Sequence, residues 1–174
     1  KEDSAKKGTL LHESIENYYN QKAQEEFPPE FNFFKEFINK YPTIEPYKTE
    51  WKVFDSKSSL AGTIDMVYKK PNGELFIFDW KRTTKLVNDI GTIIKSDFEY
   101  GYDELDNLSN NSYNKYCLQQ NLYKYILEDN YGEKVSSMNI LVLHPRYHTH
   151  FHLQVPNLIK ETEFLIRKAR EKSI

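Results

Sequence analysis

Four residues of this 174-residue chain have types and spacings that suit joint chemistry: His12, Asp65, Asp79 and Lys81. Asp65 lies in the apolar run Ala61-Gly62-Thr63-Ile64-Asp65-Met66-Val67, where an unpaired carboxylate is costly. Asp79 and Lys81 close a second apolar run, Leu75-Phe76-Ile77-Phe78-Asp79-Trp80-Lys81, reached through Pro71-Asn72-Gly73. Two carboxylates brought together raise one another's pKa unless a cation sits between them. A hard divalent ion relieves that repulsion, activates a water and offsets the charge of a developing phosphorane. An ammonium beside it would orient the water or neutralise the transition state. The same spacing fits a purely structural Asp79–Lys81 ion pair, and spacing alone does not choose.

The remaining candidates depend on where helices place them. His12 follows Leu11 on a stripe with Ile15 and Tyr19, where a histidine is commonly a core or boundary residue. It gains chemical meaning if its helix packs over the Asp65/Asp79 end of a sheet, with Glu16 one turn on to hold the imidazole. Glu50, near the middle of a strand, faces either that site or solvent.

Periodicity supplies the elements. A helix is expected from about Ser4 to Lys22, broken at Pro28-Pro29, then a short helix through Phe33, Phe34, Phe37 and Ile38 up to Pro42. Strands follow at Tyr47–Asp55, Leu60–Lys70 and Glu74–Lys81. The third is apolar on both faces and therefore central, and Leu75, Ile77, Asp79 and Lys81 share one of those faces. From Thr83 to Ser112 no period is visible, and a connection of that length is expected to be functional or mobile. A helix is expected over Tyr113 to Tyr131, stopped at Gly132, then a strand pair, Val135–His144 and Tyr147–Val155, across Pro145-Arg146. A last helix starts at Pro156, with Leu158, Ile159, Thr162, Leu165, Ile166 and Ala169 inward. The fold class is α/β: a central mixed sheet flanked by helices, in one domain over 1–174, which is read as a piece excised from something longer.

Four short motifs occur in order. Gly8-Thr9-Leu10-Leu11-His12 resembles the G-x-x-x-H motif of RecB-like nucleases, and Gly62-Thr63-Ile64-Asp65 resembles their G-x-x-D. Asp79-Trp80-Lys81, followed by Arg82-Thr83, resembles D-x-K-T. Gln119-Gln120-Asn121-Leu122-Tyr123 resembles Q-x-x-x-Y. Each is weak alone; the ordered set, over roughly Gly8 to Tyr123, resembles the PD-(D/E)XK nucleases, specifically the RecB-type and mitochondrial genome-maintenance exonucleases. Ile64 stands where the class name has proline.

The resemblance implies Asp65, Asp79, the Trp80 backbone carbonyl and His12 as ligands of Mg²⁺ or Mn²⁺, and Lys81 as the group positioning the attacking water. It implies that Gln119 and Tyr123, one helical turn apart, hold substrate or Lys81, with Arg82 and Thr83 supporting. The expected reaction is hydrolysis of DNA, as an exonuclease or flap-type enzyme on single-stranded or end-containing substrates. A helicase or replication partner, bound or fused, is compatible with that. A viral-type RNA endonuclease with the same His/Asp/Asp/Lys set is a different enzyme reading; an inactive nucleic-acid-binding module is a third, and intact Asp65, Asp79 and Lys81 weigh against it.

Composition bounds these readings. A formal charge of −2 argues mildly against a nucleic-acid partner, though a site that gathers carboxylates offsets basic charge elsewhere. The single cysteine, Cys117, rules out a disulfide framework and a cysteine-ligated iron–sulfur cluster, and it suits a reducing, intracellular compartment. No membrane span or secretory leader is visible. His148, His150 and His152 alternate on one strand and are expected to form a solvated polar face; so are Arg167, Lys168, Arg170 and Lys172 on the last helix. Tyr100, Tyr102 and Tyr113 in the long connection are candidates for stacking on unpaired bases.

Overall fold

Long apolar alternation produces the sheet, and two helical layers cover it. The structure, a computed structural model, describes residues 2–94 and 112–174. The elements are α1 (Glu2–Tyr19), α2 (Phe31–Asn39), β1 (Glu45–Phe54), β2 (Ala61–Lys69), β3 (Leu75–Lys81), α3 (Ser112–Asn130), β4 (Val135–Val142), β5 (Phe151–Gln154) and α4 (Ile159–Lys172). One five-stranded sheet has the order β1-β2-β3-β4-β5. The β3–β4 pair, joined through α3, is parallel and the other pairs are antiparallel, so the sheet is mixed as expected.

β3 is central and buried on both faces. Leu75 and Ile77 join a core under α3 with Ile64, Leu127, Ile140 and Val142. Phe78 and Trp80 join a second core with Leu11 and Ile15 of α1 and Phe34 and Phe37 of α2. The Phe34 ring lies edge-on to Trp80, with centroids 5.4 Å apart. Truncating such a ring to alanine costs about 3–5 kcal/mol. This second core seats α1 over β3 and so brings His12 to the acidic residues.

The structure departs from expectation at several points. β5 begins at Phe151, not Tyr147, because Tyr147 leaves the ladder: its hydroxyl donates to the Val87 carbonyl at 2.6 Å, and its amide closes a turn onto His144. The stretch 86–94, read as patternless, forms a small loop in which Leu86 and Val87 are buried and Val87 bridges Ile93. At its tip Gly91 has φ +88, and a Cβ there would fall 2.5 Å from the Phe151 ring, so only glycine fits. α4 begins at Ile159 rather than Pro156, since the Leu158 amide is held by Asn121 Oδ1. Its inward face consequently carries Thr162, Phe164 and Ile166, while Ile159 is 66% exposed.

The histidine face is also corrected. His148 is exposed, but His150 is buried and His152 half-buried. Both imidazoles pack edge-on to Phe37; His150 Nδ1 pairs with Glu36 at 2.7 Å, and His152 Nε2 donates to Asn139 Oδ1 at 2.7 Å. They pack there because Phe37 of α2, which lies against Phe78 of β3, also meets both imidazoles. Arg170 is likewise no solvated charge: it binds both oxygens of the fully buried Asp55 at 2.9 and 3.1 Å, and Asp129 at 2.7 Å. Of the tyrosines proposed to stack on bases, Tyr100 and Tyr102 lie outside the described residues, and Tyr113 is half-buried at the start of α3. Among the described residues, no helix is long and apolar enough to cross a membrane.

Candidate metal centre

The site opens where two strands part. The β2–β3 ladder ends at the Met66/Phe78 pair, one residue short of Asp65 and Asp79. Beyond it the Trp80 amide has no strand partner, and Asp65 Oδ2 accepts its hydrogen bond at 2.9 Å. The carboxylate replaces a ladder bond, which keeps the amide satisfied and fixes the side chain at the same time. The same oxygen lies 3.0 Å from His12 Nε2. His12 Nδ1 donates to the Gly8 carbonyl at 2.9 Å, one helical turn back. One donor atom from each of His12, Asp65 and Asp79 falls within 4.8 Å of the others. Lys81 Nζ lies 3.2 Å from Asp79 Oδ2 and 4.1 Å from the centre of the Tyr116 ring.

The three groups perturb one another strongly. With Nδ1 committed to Gly8, His12 needs a second proton on Nε2 to face Asp65. Burial pulls its pKa down, but the Asp65 hydrogen bond and charge, the Gly8 carbonyl and the Asp79 charge outweigh it and raise it to about 9. Burial also opposes ionisation of Asp65, yet hydrogen bonds from His12 and Asp79, the His12 charge and the Trp80 amide hold it below the usual carboxylate range. Asp79 goes the other way. Burial, then the charge of Asp65 and the hydrogen bond to it, push its pKa well above the ordinary value against the pull of Lys81. The cluster therefore favours a positive charge between its carboxylates.

Asp79 Oδ2 is buried with no hydrogen bond among the described residues. The Lys81 ammonium lies 3.2 Å from it, at ion-pair distance but without the direction of a hydrogen bond, which leaves the oxygen orphaned. Buried oxygens of this kind are uncommon and call for a partner. A borderline imidazole and two carboxylates are the donor set that a small divalent ion accepts. The residues present fit such an ion.

The other sequence candidates distribute around this centre. Between the Thr49/Met66 and Trp51/Ile64 pairs, the register sets Glu50 across from Asp65, at a positive φ of 45°. Burial, then the charge of Asp65, raise its pKa to about 7. Tyr123 sets α3 against β2 beside the carboxylates, where burial, then the charges of Asp79 and Asp65, push its hydroxyl's pKa up to about 12. Its ring lies on Gly62: a Cβ there would stand 2.5 Å from Tyr123 Cε1 and 2.9 Å from the hydroxyl. Arg82 turns away from the centre, its Nε 2.9 Å from Glu30 Oε1 in a pair with side-chain exposures of 9% and 2%. Thr83 Oγ1 accepts the Lys85 amide at 3.1 Å and closes a turn.

Two residues escaped the sequence reading. Tyr116 covers the Lys81 ammonium, and its signal was available, because it precedes Gln119 by three positions and Tyr123 by seven on one helical face. Glu30 had no such signal; it becomes visible only when α2 brings it under Arg82.

A comparison with curated proteins finds no match. A family description does match: the PD-(D/E)XK nuclease superfamily, over residues 1–172. That span includes both strands of the acidic pair, the helix that brings His12 to them and the helix that carries Gln119 and Tyr123. A superfamily that cuts nucleic acids with divalent metal ions accounts for the paired carboxylates, the ammonium and the orphaned oxygen together. The chain belongs to the PD-(D/E)XK nuclease superfamily.

Proposed function

We propose that this chain hydrolyses phosphodiester bonds of DNA, as an exonuclease or flap-type enzyme on single-stranded or end-containing substrates. The observation that carries the reading is the convergence of His12, Asp65 and Asp79 donor atoms within 4.8 Å, with Lys81 3.2 Å from Asp79. His12, Asp65, Asp79 and the Trp80 backbone carbonyl would hold Mg²⁺ or Mn²⁺, which supplies Lewis-acid activation of water and of the phosphoryl group. The order of motifs, similar to that of RecB-like nucleases, supports DNA over RNA.

The chain's own residues then have separate tasks. Asp65 is held by the Trp80 amide and keeps its charge; Asp79, whose pKa burial and the Asp65 charge raise, would ionise with a cation beside it. Gly8 fixes the His12 tautomer so that Nε2 is the free donor once deprotonated. Lys81, steadied by the Tyr116 face, orients the nucleophilic water and offsets negative charge building on the phosphate. Tyr123 and Gln119 hold α3 against the site and contact the substrate strand. End-labelled single-stranded DNA, duplex DNA and RNA, each incubated with Mg²⁺, Mn²⁺ or EDTA, test the proposal. Metal-dependent loss of DNA with RNA spared supports it; equal digestion in EDTA, or digestion of RNA alone, refutes it.

A further inference from the structure

Beside the metal centre, α3 and the turn between β1 and β2 enclose a cleft of about 310 Å³. Its walls are aliphatic: Leu60 and Ala61 on one side, Leu118, Leu122 and Ile126 on the other. Its inner edge is polar and belongs to the site, since Gln119 and Tyr123 line the cleft while the Tyr123 ring and hydroxyl also rest on Gly62, three residues before Asp65. Its mouth carries Lys115, which is exposed and has no ion pair with any described residue.

We propose that this cleft seats one unpaired nucleobase of the substrate strand, adjacent to the nucleotide whose phosphate is cut. The inference rests on the nuclease reading and adds to it a structural demand on the substrate. A base is a flat, largely apolar ring with a hydrogen-bonding edge. Aliphatic walls take its faces, and the Gln119 amide, which both donates and accepts, takes its edge without selecting one base. Lys115 meets the phosphate that follows, as a cation at the mouth of a strand-binding groove does. The volume suits a single ring system and lies at the low end of small-molecule sites. A paired base cannot enter, because its edge and both faces are occupied within the duplex. The strand must therefore be unpaired at this nucleotide, which makes the cleft a specificity element for single-stranded or frayed DNA.

The test uses a short DNA strand in which each position in turn carries 2-aminopurine or an abasic residue. With Ca²⁺ in place of Mn²⁺, binding is followed by 2-aminopurine fluorescence; with Mn²⁺, cleavage is followed on the same strands. One position is expected to brighten on binding, as its base leaves its stacked neighbours for aliphatic walls. An abasic residue at that position should weaken binding about tenfold. Ala61→Phe fills the cleft from an exposed strand end, and it should remove the fluorescence change at an unaltered melting temperature. The abasic series needs no variant, so it decides even if Ala61→Phe folds poorly. Cleavage with no brightening at any position, or with abasic strands bound equally well throughout, overturns the cleft proposal and leaves the nuclease reading intact. Failure of every strand to be cut with Mn²⁺ would overturn the nuclease reading instead.

Discussion

Asp79→Asn should make the metal-free protein more stable while removing its response to metal. At pH 8 the wild type must either keep a proton on Asp79 against the solvent or bury a second carboxylate beside Asp65, with Oδ2 unbonded in both cases. An asparagine donates to Asp65 as protonated Asp79 does, and needs neither. The amide oxygen still stands where Oδ2 did, so what is relieved is the cost of the second buried charge or of holding its proton, about 1–3 kcal/mol. Against it stands the lost Lys81 ion pair, about 0–1 kcal/mol because that side chain is partly exposed and retains Tyr116. The net gain of about 1.5 kcal/mol corresponds to about 3–6 °C in melting temperature at this chain length. Asp79 has a raised pKa in the folded state, so its favourable contribution belongs to acid pH and is lost as pH rises above the ordinary carboxylate value. The advantage of Asp79→Asn should therefore shrink toward pH 4. Metal at a hundred times its Kd should add about 2.7 kcal/mol to the wild type and little to the variant. Scanning calorimetry at pH 5 and pH 8, with and without Mn²⁺, reads all four quantities. A variant that melts earlier than the wild type without metal, yet keeps the Mn²⁺ increment, would refute the electrostatic account.

Four further outcomes are expected. Metal binding must expel the Nε2 proton of His12, so affinity for Mn²⁺ should rise as pH climbs toward about 9, with proton release visible by titration calorimetry in buffers of different ionisation enthalpy; a pH-independent affinity contradicts this. In the metal-free protein the charged His12 contact with Asp65 stabilises the fold fully below pH 6.5, and this contribution is lost as pH rises through about 9. Gly62→Ala should displace the Tyr123 ring, costing about 1–3 kcal/mol and most of the turnover. In a Tyr123→Ala background, which lacks the ring, Gly62→Ala should cost little further, and an undiminished cost there counts against the steric explanation. Arg170→Ala strands the buried Asp55 on Ser58 and Asn130 alone and should cost about 3 kcal/mol in urea unfolding with metal affinity unchanged.

The strands and the acidic pair were legible in the sequence because strong physical constraints leave marks there. A strand apolar on both faces has to be central, and a carboxylate and an ammonium emerging at its end have no packing reason to be there. α3 and its Gln119/Tyr123 face were legible from helical spacing, and Gly62 became intelligible once Tyr123 was seen resting on it. What escaped depends on contacts distant in the chain. The burial of His150 and His152 is decided by Phe37, more than a hundred residues earlier, and local alternation gives no sign of it. Tyr147 reads as a strand residue, yet a single hydroxyl bond to Val87 draws it out of the ladder. Arg82 follows the acidic motif directly but is claimed by Glu30 from a different layer.

The central claim is that His12, Asp65 and Asp79 hold one divalent ion, and anomalous diffraction from a Mn²⁺-loaded crystal tests it most directly. One anomalous peak is predicted, about 2.0–2.3 Å from His12 Nε2 and from one oxygen each of Asp65 and Asp79, with the Trp80 carbonyl on its coordination sphere. In that crystal His12 Nε2 should point at the peak and no longer at Asp65. No peak at saturating Mn²⁺, or a peak elsewhere with the His12–Asp65 contact still in place, would contradict the account.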